Sequence, residues 1–222
     1  MDVQYFLNRK VNFIRQFYEM SSAPFVERKR QIEAEEEPFV PPYSEDPEPA
    51  FLEEWLEAEE SLQVVGRTCI SMLAAVFHLY FKAWEHQIGI PVDASLKAHF
   101  KHGWLNGYKA YFAHHFRIRF EDSPSNLEVL EEIVLVRNRD QHPESIIMDS
   151  SNYSESDLEK LPHPFFIDEN DASLFSEEEE GERAWLLPPP IRVTAEKLFT
   201  ALSEVETFAE WLESVEVEQH AP

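Results

Sequence analysis

Three residues whose side chains can act together on a phosphate lie close together in the second half of the chain: Arg137, Asn138 and His142. Histidine titrates near neutrality, so His142 can act as a general base or a general acid. Arginine has a forked set of donors that fits phosphate oxygens and offsets the charge developing on them. Asn138 precedes His142 by one helical turn, so its amide can orient the ring or donate to the phosphate. The pattern predicts metal-free acid–base chemistry at a phosphodiester.

These residues close a segment that has helical periodicity. Its apolar residues fall on or near one stripe: Leu127, Leu130, Ile133, Val134 and Val136. Ser125 or Asn126 can cap the start of this helix. Pro143 ends it, because a residue before proline is disfavoured in the α region. We therefore predict a packed helix that presents Arg137, Asn138 and His142 at its C-terminal end.

The arrangement Arg137-Asn138-x-x-x-His142 at the end of a core helix resembles the R-polar-x3–5-H signature of the HEPN superfamily. Many members of that family are small α-helical, metal-independent ribonucleases of toxin–antitoxin, phage-defence and RNA-processing systems. The resemblance implies that these three residues are catalytic and that the substrate is RNA, cleaved by its own 2′-OH to leave a cyclic phosphate. It also implies a homodimer, with a cognate antitoxin or regulatory protein as a further partner. A toxin subgroup has a modified tyrosine where this chain has Glu144, so that mode of regulation is not implied.

The spacing of Arg137 and His142 also bears on the assembly. Five residues correspond to about 140° around an ideal helix, so the two side chains diverge while the helix stays regular. They converge if the helix unwinds before Pro143, or if a second subunit completes the site. The dimer is therefore part of the predicted mechanism.

The net charge of the chain opposes broad nucleic-acid binding. With 19 basic and 43 acidic residues the formal charge is −24, whereas contacts to phosphates require cations. A ribonuclease would need a local basic patch within this acidic surface. The charge leaves two alternatives open: a non-catalytic dimeric helical scaffold or regulatory domain, and an acidic protein that binds a basic partner.

The rest of the sequence predicts an all-α protein, a HEPN-like antiparallel helical bundle with a small irregular or two-stranded β insertion. Residues 1–49 read as an N-terminal helix (2–21) and a proline- and acid-rich connector. Residues 50–222 form the predicted bundle, with long helices at 50–88 and 193–216 and shorter ones between them. The insertion covers about 144–192, where 165–167 and 184–187 have the composition of paired strands.

We predict no metal and no cofactor. His99 and His102 are one turn apart, and the adjacent His114 and His115 point to different faces of a helix, without an acidic or cysteine ligand at a matching spacing. Cys69, the single cysteine, excludes a disulfide framework and is expected to be a small buried residue in a reducing compartment. No uninterrupted apolar run approaches the length of a membrane span. The predicted location is cytoplasmic, without membrane contact.

Overall fold

The computed structural model describes residues 2–43, 47–141, 151–161, 163–168 and 189–220. The described part of the chain is mostly helical, which confirms the all-α prediction. Its helices are α1 (Val3–Glu33), α2 (Leu52–Ile88), α3 (Lys97–Phe100), α4 (Trp104–Phe116), α5 (Leu127–Gln141), α6 (Glu155–Leu158) and α7 (Ala195–His220), with a 3-10 turn at Phe120–Asp122.

Helix α2 lies at the centre of the fold. Its second half is buried on most of its circumference, with Cys69, Ile70, Leu73, Phe77 and Phe81 each fully enclosed. Burial also raises the pKa of the Cys69 thiol to about 12, as expected for a small core residue. The helix ends at Gly89, which adopts the left-handed conformation (φ 72°) that glycine tolerates at a helix C-terminus. α1, α5 and α7 pack around α2.

Helix α1 is longer than the sequence predicts. It begins at a cap in which Asp2 accepts the backbone N–H of Tyr5, and it continues through Pro24 to Glu33. A proline inside a helix removes one hydrogen bond, but contacts with α2 beyond it compensate. Lys29 pairs with Glu59 and lies over the ring of Trp55, 4.1 Å from its centroid.

The first half of α1 contributes to the apolar core. Its inward residues recur every three or four positions: Val3, Leu7, Val11, Ile14 and Tyr18. α7 runs antiparallel to α1, since Glu213 accepts the backbone N–H of Gln4 while Tyr18 contacts Phe199. Thr194 caps α7 by accepting the backbone N–H of Lys197, and the apolar face of α7 meets the aromatic residues Phe77 and Phe81 of α2 through Phe208.

The segment predicted as an irregular insertion belongs in part to the core. Its described residues include Tyr153, Phe166 and Ile191, all buried. The predicted β pairing is not confirmed. Residues 165–167 form a turn, because the backbone N–H groups of Phe165 and Phe166 bind the carboxylate of Glu132 instead of a neighbouring strand. The other predicted strand, 184–187, lies outside the described residues. An isolated bridge joins Asn152 to Pro190.

Within the described ranges, α2 is the one helix that is long and apolar enough to cross a membrane by length and composition. Half of its apolar window is buried inside the protein. The core helix of a globular protein can pass the same test of length and composition.

We predict that Gly66→Ala destabilises the fold. A Cβ at this position of α2 would lie 2.6 Å from the carbonyl oxygen of Val193, a backbone atom that cannot move without shifting the segment before α7. We expect the free energy of unfolding to fall by about 1–3 kcal/mol, the usual effect of overpacking, measured by urea denaturation. Thr68→Ala, at an exposed position of the same helix, is the matched control and should leave it nearly unchanged. Equal stability of the two variants would contradict this close approach.

Candidate functional site at the end of helix α5

Helix α5 places the predicted site residues. Asn126 is its cap: the side-chain oxygen accepts the backbone N–H groups of Glu128 and Val129 at 3.0 and 3.4 Å. The helix is then fixed by buried apolar residues facing α2 and α7, namely Val129, Leu130, Ile133 and Val136. The last turns of a buried, capped helix are held rigidly, so the polar residues that follow Val136 have defined directions.

Two of the three predicted catalytic residues lie side by side in those last turns. Arg137 is half-buried and Asn138 is exposed, and Nη1 of Arg137 donates to Oδ1 of Asn138 at 3.0 Å. Among the described residues, no carboxylate lies within ion-pair distance of Arg137. His142, the third, lies outside the described residues. The structure thus joins Arg137 and Asn138 and leaves the guanidinium charge uncompensated by the described acids.

Asp140, the acidic residue of the same turn, has structural partners on α2. Asp140 faces α2, where its carboxylate lies 3.6 Å from Nε of Arg67 and accepts the hydroxyl of Ser71 at 3.1 Å. Arg67 is almost completely buried and also pairs with Glu60 at 3.0 Å. Removing one partner of a buried ion pair leaves an uncompensated charge. Asp140 therefore fixes the end of α5 to α2.

Arg139 has a different structural partner. It donates to the carboxylate of Asp157, at 2.6 Å from Nη2 and 2.8 Å from Nε, and also to the hydroxyl of Ser154. Ser154 and Asp157 are the two members of a capping box that starts α6. The two arginines of the turn thus differ: Arg139 holds α6, while Arg137 faces Asn138.

A groove of about 480 Å³ lies between the start of α4, the end of α5 and α6. Its polar lining comes from His102, Asn106, Glu131, Asn138, Arg139, Asp157 and Lys160. Glu131 pairs with Lys109 outside the groove, and Arg139 pairs with Asp157 as described. The two acids and two cations of the lining balance each other, so the groove is less acidic than the chain as a whole.

The wall formed by α6 is attached to α5 through a buried carboxylate. Glu132 is 1% exposed, and its two oxygens accept the hydroxyl of Tyr153 and the backbone N–H groups of Phe165 and Phe166, both at 2.8 Å. Burial raises the pKa of the Glu132 carboxyl, against the lowering effect of these donors. Glu132 therefore anchors Tyr153 and the turn at 165–167 to α5.

His78 of α2 lies within electrostatic reach of Arg137. Its ring stacks on Trp104, with centroids 4.7 Å apart and planes 11° from parallel. Burial lowers its pKa, and the positive charges of Lys82 and Arg137 lower it further. These effects together favour the neutral form of the imidazole.

Sequence reasoning missed the roles of Glu132 and His78. α5 has three glutamates, and by sequence all three resemble the acidic residues common near a helix start. Glu132 differs from the other two because it lies on the same face of the helix as the buried Val129 and Val136. His78 was expected to be a core or rim residue, and its stacking on Trp104 agrees with that. Its proximity to Arg137 depends on how α2 packs against α5, which no local pattern gives.

No family model, curated protein or solved structure matches this chain.

We predict that Glu132→Ala loosens the groove wall and lowers stability. The substitution would leave the hydroxyl of Tyr153 and two buried backbone N–H groups without their acceptor, and orphaned buried donors cost about 1–3 kcal/mol each. Because the turn at 165–167 can relax toward water, we expect a loss of about 2–4 kcal/mol in urea denaturation. Glu131→Ala, which removes an exposed ion pair with Lys109, should cost less than about 1 kcal/mol. Similar losses for both variants would show that Glu132 is not an anchor.

We predict that Arg137→Ala raises the pKa of His78, because it removes one of the charges that lower it. In the parent protein an NMR titration should place the midpoint of His78 below the usual value of about 6.5. Because the pKa of His78 is lower in the folded state, the unfolded chain binds this proton more readily. The neutral His78 side chain therefore contributes fully to stability above pH 6.5, and this contribution is lost as the pH falls through the folded-state pKa. An unchanged midpoint in the variant would show that the guanidinium does not face the ring.

Proposed function

We propose that this protein is a metal-independent RNA endonuclease of the HEPN type, built on a HEPN-like helical bundle. The observation that carries the proposal is the Arg137–Asn138 pair at the end of the buried helix α5, beside an open groove. The charges of Lys82 and Arg137 both act on His78, while the other charges of the turn, Arg139 and Asp140, are held by structural partners. The two cations support the local basic surface that an RNA substrate would require of an acidic protein.

In the proposed reaction the 2′-oxygen of a ribose attacks the adjacent phosphorus, and the bond from phosphorus to the 5′-oxygen breaks. His142 takes the proton of the 2′-OH or returns one to the departing 5′-oxygen. Arg137 binds the non-bridging oxygens and stabilises the charge that builds up there. Asn138 accepts a hydrogen bond from Arg137, so it fixes the direction of the guanidinium, or its amide donates to the phosphate. The products carry a 2′,3′-cyclic phosphate and a 5′-hydroxyl.

The proposed active form is a homodimer, in which two such helix ends meet across one cleft. The divergence of Arg137 and His142 on a regular helix supports it, since a residue of a second subunit can complete each half-site. A cognate antitoxin or regulatory protein would act by covering the cleft, and the cytoplasm would be the site of action.

A second candidate function is a non-catalytic helical scaffold or regulatory domain. The pairing of Arg139 with Asp157, and of Asp140 with Arg67 and Ser71, favours it. These contacts show that half of the polar turn stabilises the fold, as the whole turn would in a scaffold.

Cleavage of a mixed RNA pool in EDTA separates the two functions. We expect the parent protein to cleave and to leave cyclic phosphate ends, with His142→Ala about 10²–10⁴-fold slower and Arg137→Ala about 10²–10³-fold slower. His163→Ala, an exposed histidine beyond α6, is the matched control and should cleave normally. Circular dichroism and the elution volume in gel filtration would check that each variant is folded. No cleavage by the folded parent would favour the scaffold, and equal cleavage by parent and His142→Ala would contradict the assigned base.

A further inference from the structure

A group of metal-binding residue types lies away from the groove, at the opposite end of α4. Asp93, His114 and His115 each offer one ligand atom, and these atoms all lie within 4.8 Å of one another. The two histidines occupy the last turn of α4, and Asp93 lies in the loop between α2 and α3. His114 is about 15 Å along the helix axis from Trp104, at 1.5 Å per residue. The cluster is therefore separate from the site at the end of α5.

The backbone on both sides of the cluster is fixed. The carbonyl of Asp93 accepts the N–H groups of Leu96 and Lys97 at 3.0 and 3.3 Å, which sets the turn that leads into α3. The hydroxyl of Tyr111 donates to the carbonyl of Ile90 at 2.7 Å and joins α4 to the same loop. The ring of Tyr111 also contacts that of His115, with centroids 4.8 Å apart. The loop and the helix end therefore hold their side chains together without a ligand.

The two histidine rings lie against each other at the end of α4. Their centroids are 4.7 Å apart and their planes are nearly perpendicular, at 86°, so they are not stacked on one another. Sequence reasoning discounted the pair because adjacent residues diverge by about 100° on a helix. In the structure their ligand atoms nevertheless lie within 4.8 Å of one another and of a carboxylate oxygen of Asp93.

A second observation distinguishes His115 from an ordinary surface histidine. Its Nε2 atom is buried and has no hydrogen-bond partner among the described residues. A buried polar atom without a partner is unusual in a native protein and calls for an explanation such as a bound ion. His114 and Asp93 are exposed, which gives an ion a path from solvent.

We propose that Asp93, His114 and His115 form a binding site for a divalent transition metal of the zinc class. Two imidazole nitrogens and one carboxylate oxygen are the ligand set that Zn²⁺ takes, with water as the fourth ligand, whereas Mg²⁺ and Ca²⁺ prefer oxygen ligands throughout. Tetrahedral ligands of Zn²⁺ lie about 3.3 Å apart, for bonds of about 2.0–2.1 Å. The three side chains therefore close in by rotation as the ion binds. The formal charge of −24 also attracts cations to the surface.

Calorimetric titration of the EDTA-treated, dialysed full-length chain with Zn²⁺ tests the proposal. We expect one ion per chain, and we expect His114→Gln and Asp93→Asn each to weaken binding by roughly tenfold or more. Both positions are exposed, so these variants should fold even if His115→Gln does not. His99→Gln and His102→Gln, histidines outside the cluster, are the matched controls and should bind as the parent does. Co²⁺ in place of Zn²⁺ should give the visible absorption bands of a tetrahedral site.

Two results would overturn the site. Equal Zn²⁺ affinity in the parent and in a folded His114→Gln, Asp93→Asn double variant would place any bound ion elsewhere. Loss of binding in the His99 or His102 controls would do the same. RNA cleavage in EDTA is independent of this measurement, so the metal site and the proposed ribonuclease can each fail alone.

Discussion

The burial of α2 is the constraint on which the rest of the structure depends. Its second half carries apolar or aromatic side chains on most of its circumference, and burying them requires contact with other elements, although Leu79 remains exposed. α1, α5 and α7 cover α2. The ring of Phe81 contacts aromatic residues of three other elements, namely α4, the 3-10 turn that follows α4, and α7. The direction of α5, and hence the position of Arg137, is a consequence of this packing.

In the polar turn at the end of α5, some residues make contacts that stabilise the fold, and others have no such structural partner among the described residues. Asp140 faces inward to Arg67, Arg139 pairs with Asp157 of α6, and Asn138 lines the groove and accepts a hydrogen bond from Arg137. Consecutive helical residues differ by about 100° in direction, so the residues of this turn meet different neighbours. The residues that carry structural partners hold the helix end still, and that rigidity would favour the phosphate binding proposed for Arg137.

Local patterns in the sequence predict the helices well and the contacts between them less well. The cap at Asn126 and the burial of Cys69 follow from local chemistry, and the structure confirms them. The N-terminal helix was predicted to end at residue 21 and to be followed by a connector, but α1 continues through Pro24 to Glu33, where Lys29 contacts α2. The turn at 165–167 has the composition of a strand, yet a buried carboxylate from a distant helix determines its hydrogen bonds. The convergence of Asp93 on His114 and His115 is likewise tertiary, since a loop and a helix end meet there.

The antiparallel contact between α1 and α7 has a consequence for the synthesis of the protein. α1 leaves the ribosome before α7, and at 5–20 residues per second the interval between them is on the order of ten to thirty seconds. During this time Gln4 and Tyr18 lack their partners on α7, and the aromatic cluster of α2 lacks Phe208. The nascent chain therefore exposes apolar surface until α7 emerges. The packing of α1 and α2 is completed only after α7 has been synthesised, and a chaperone that binds apolar segments would meet the chain in that interval.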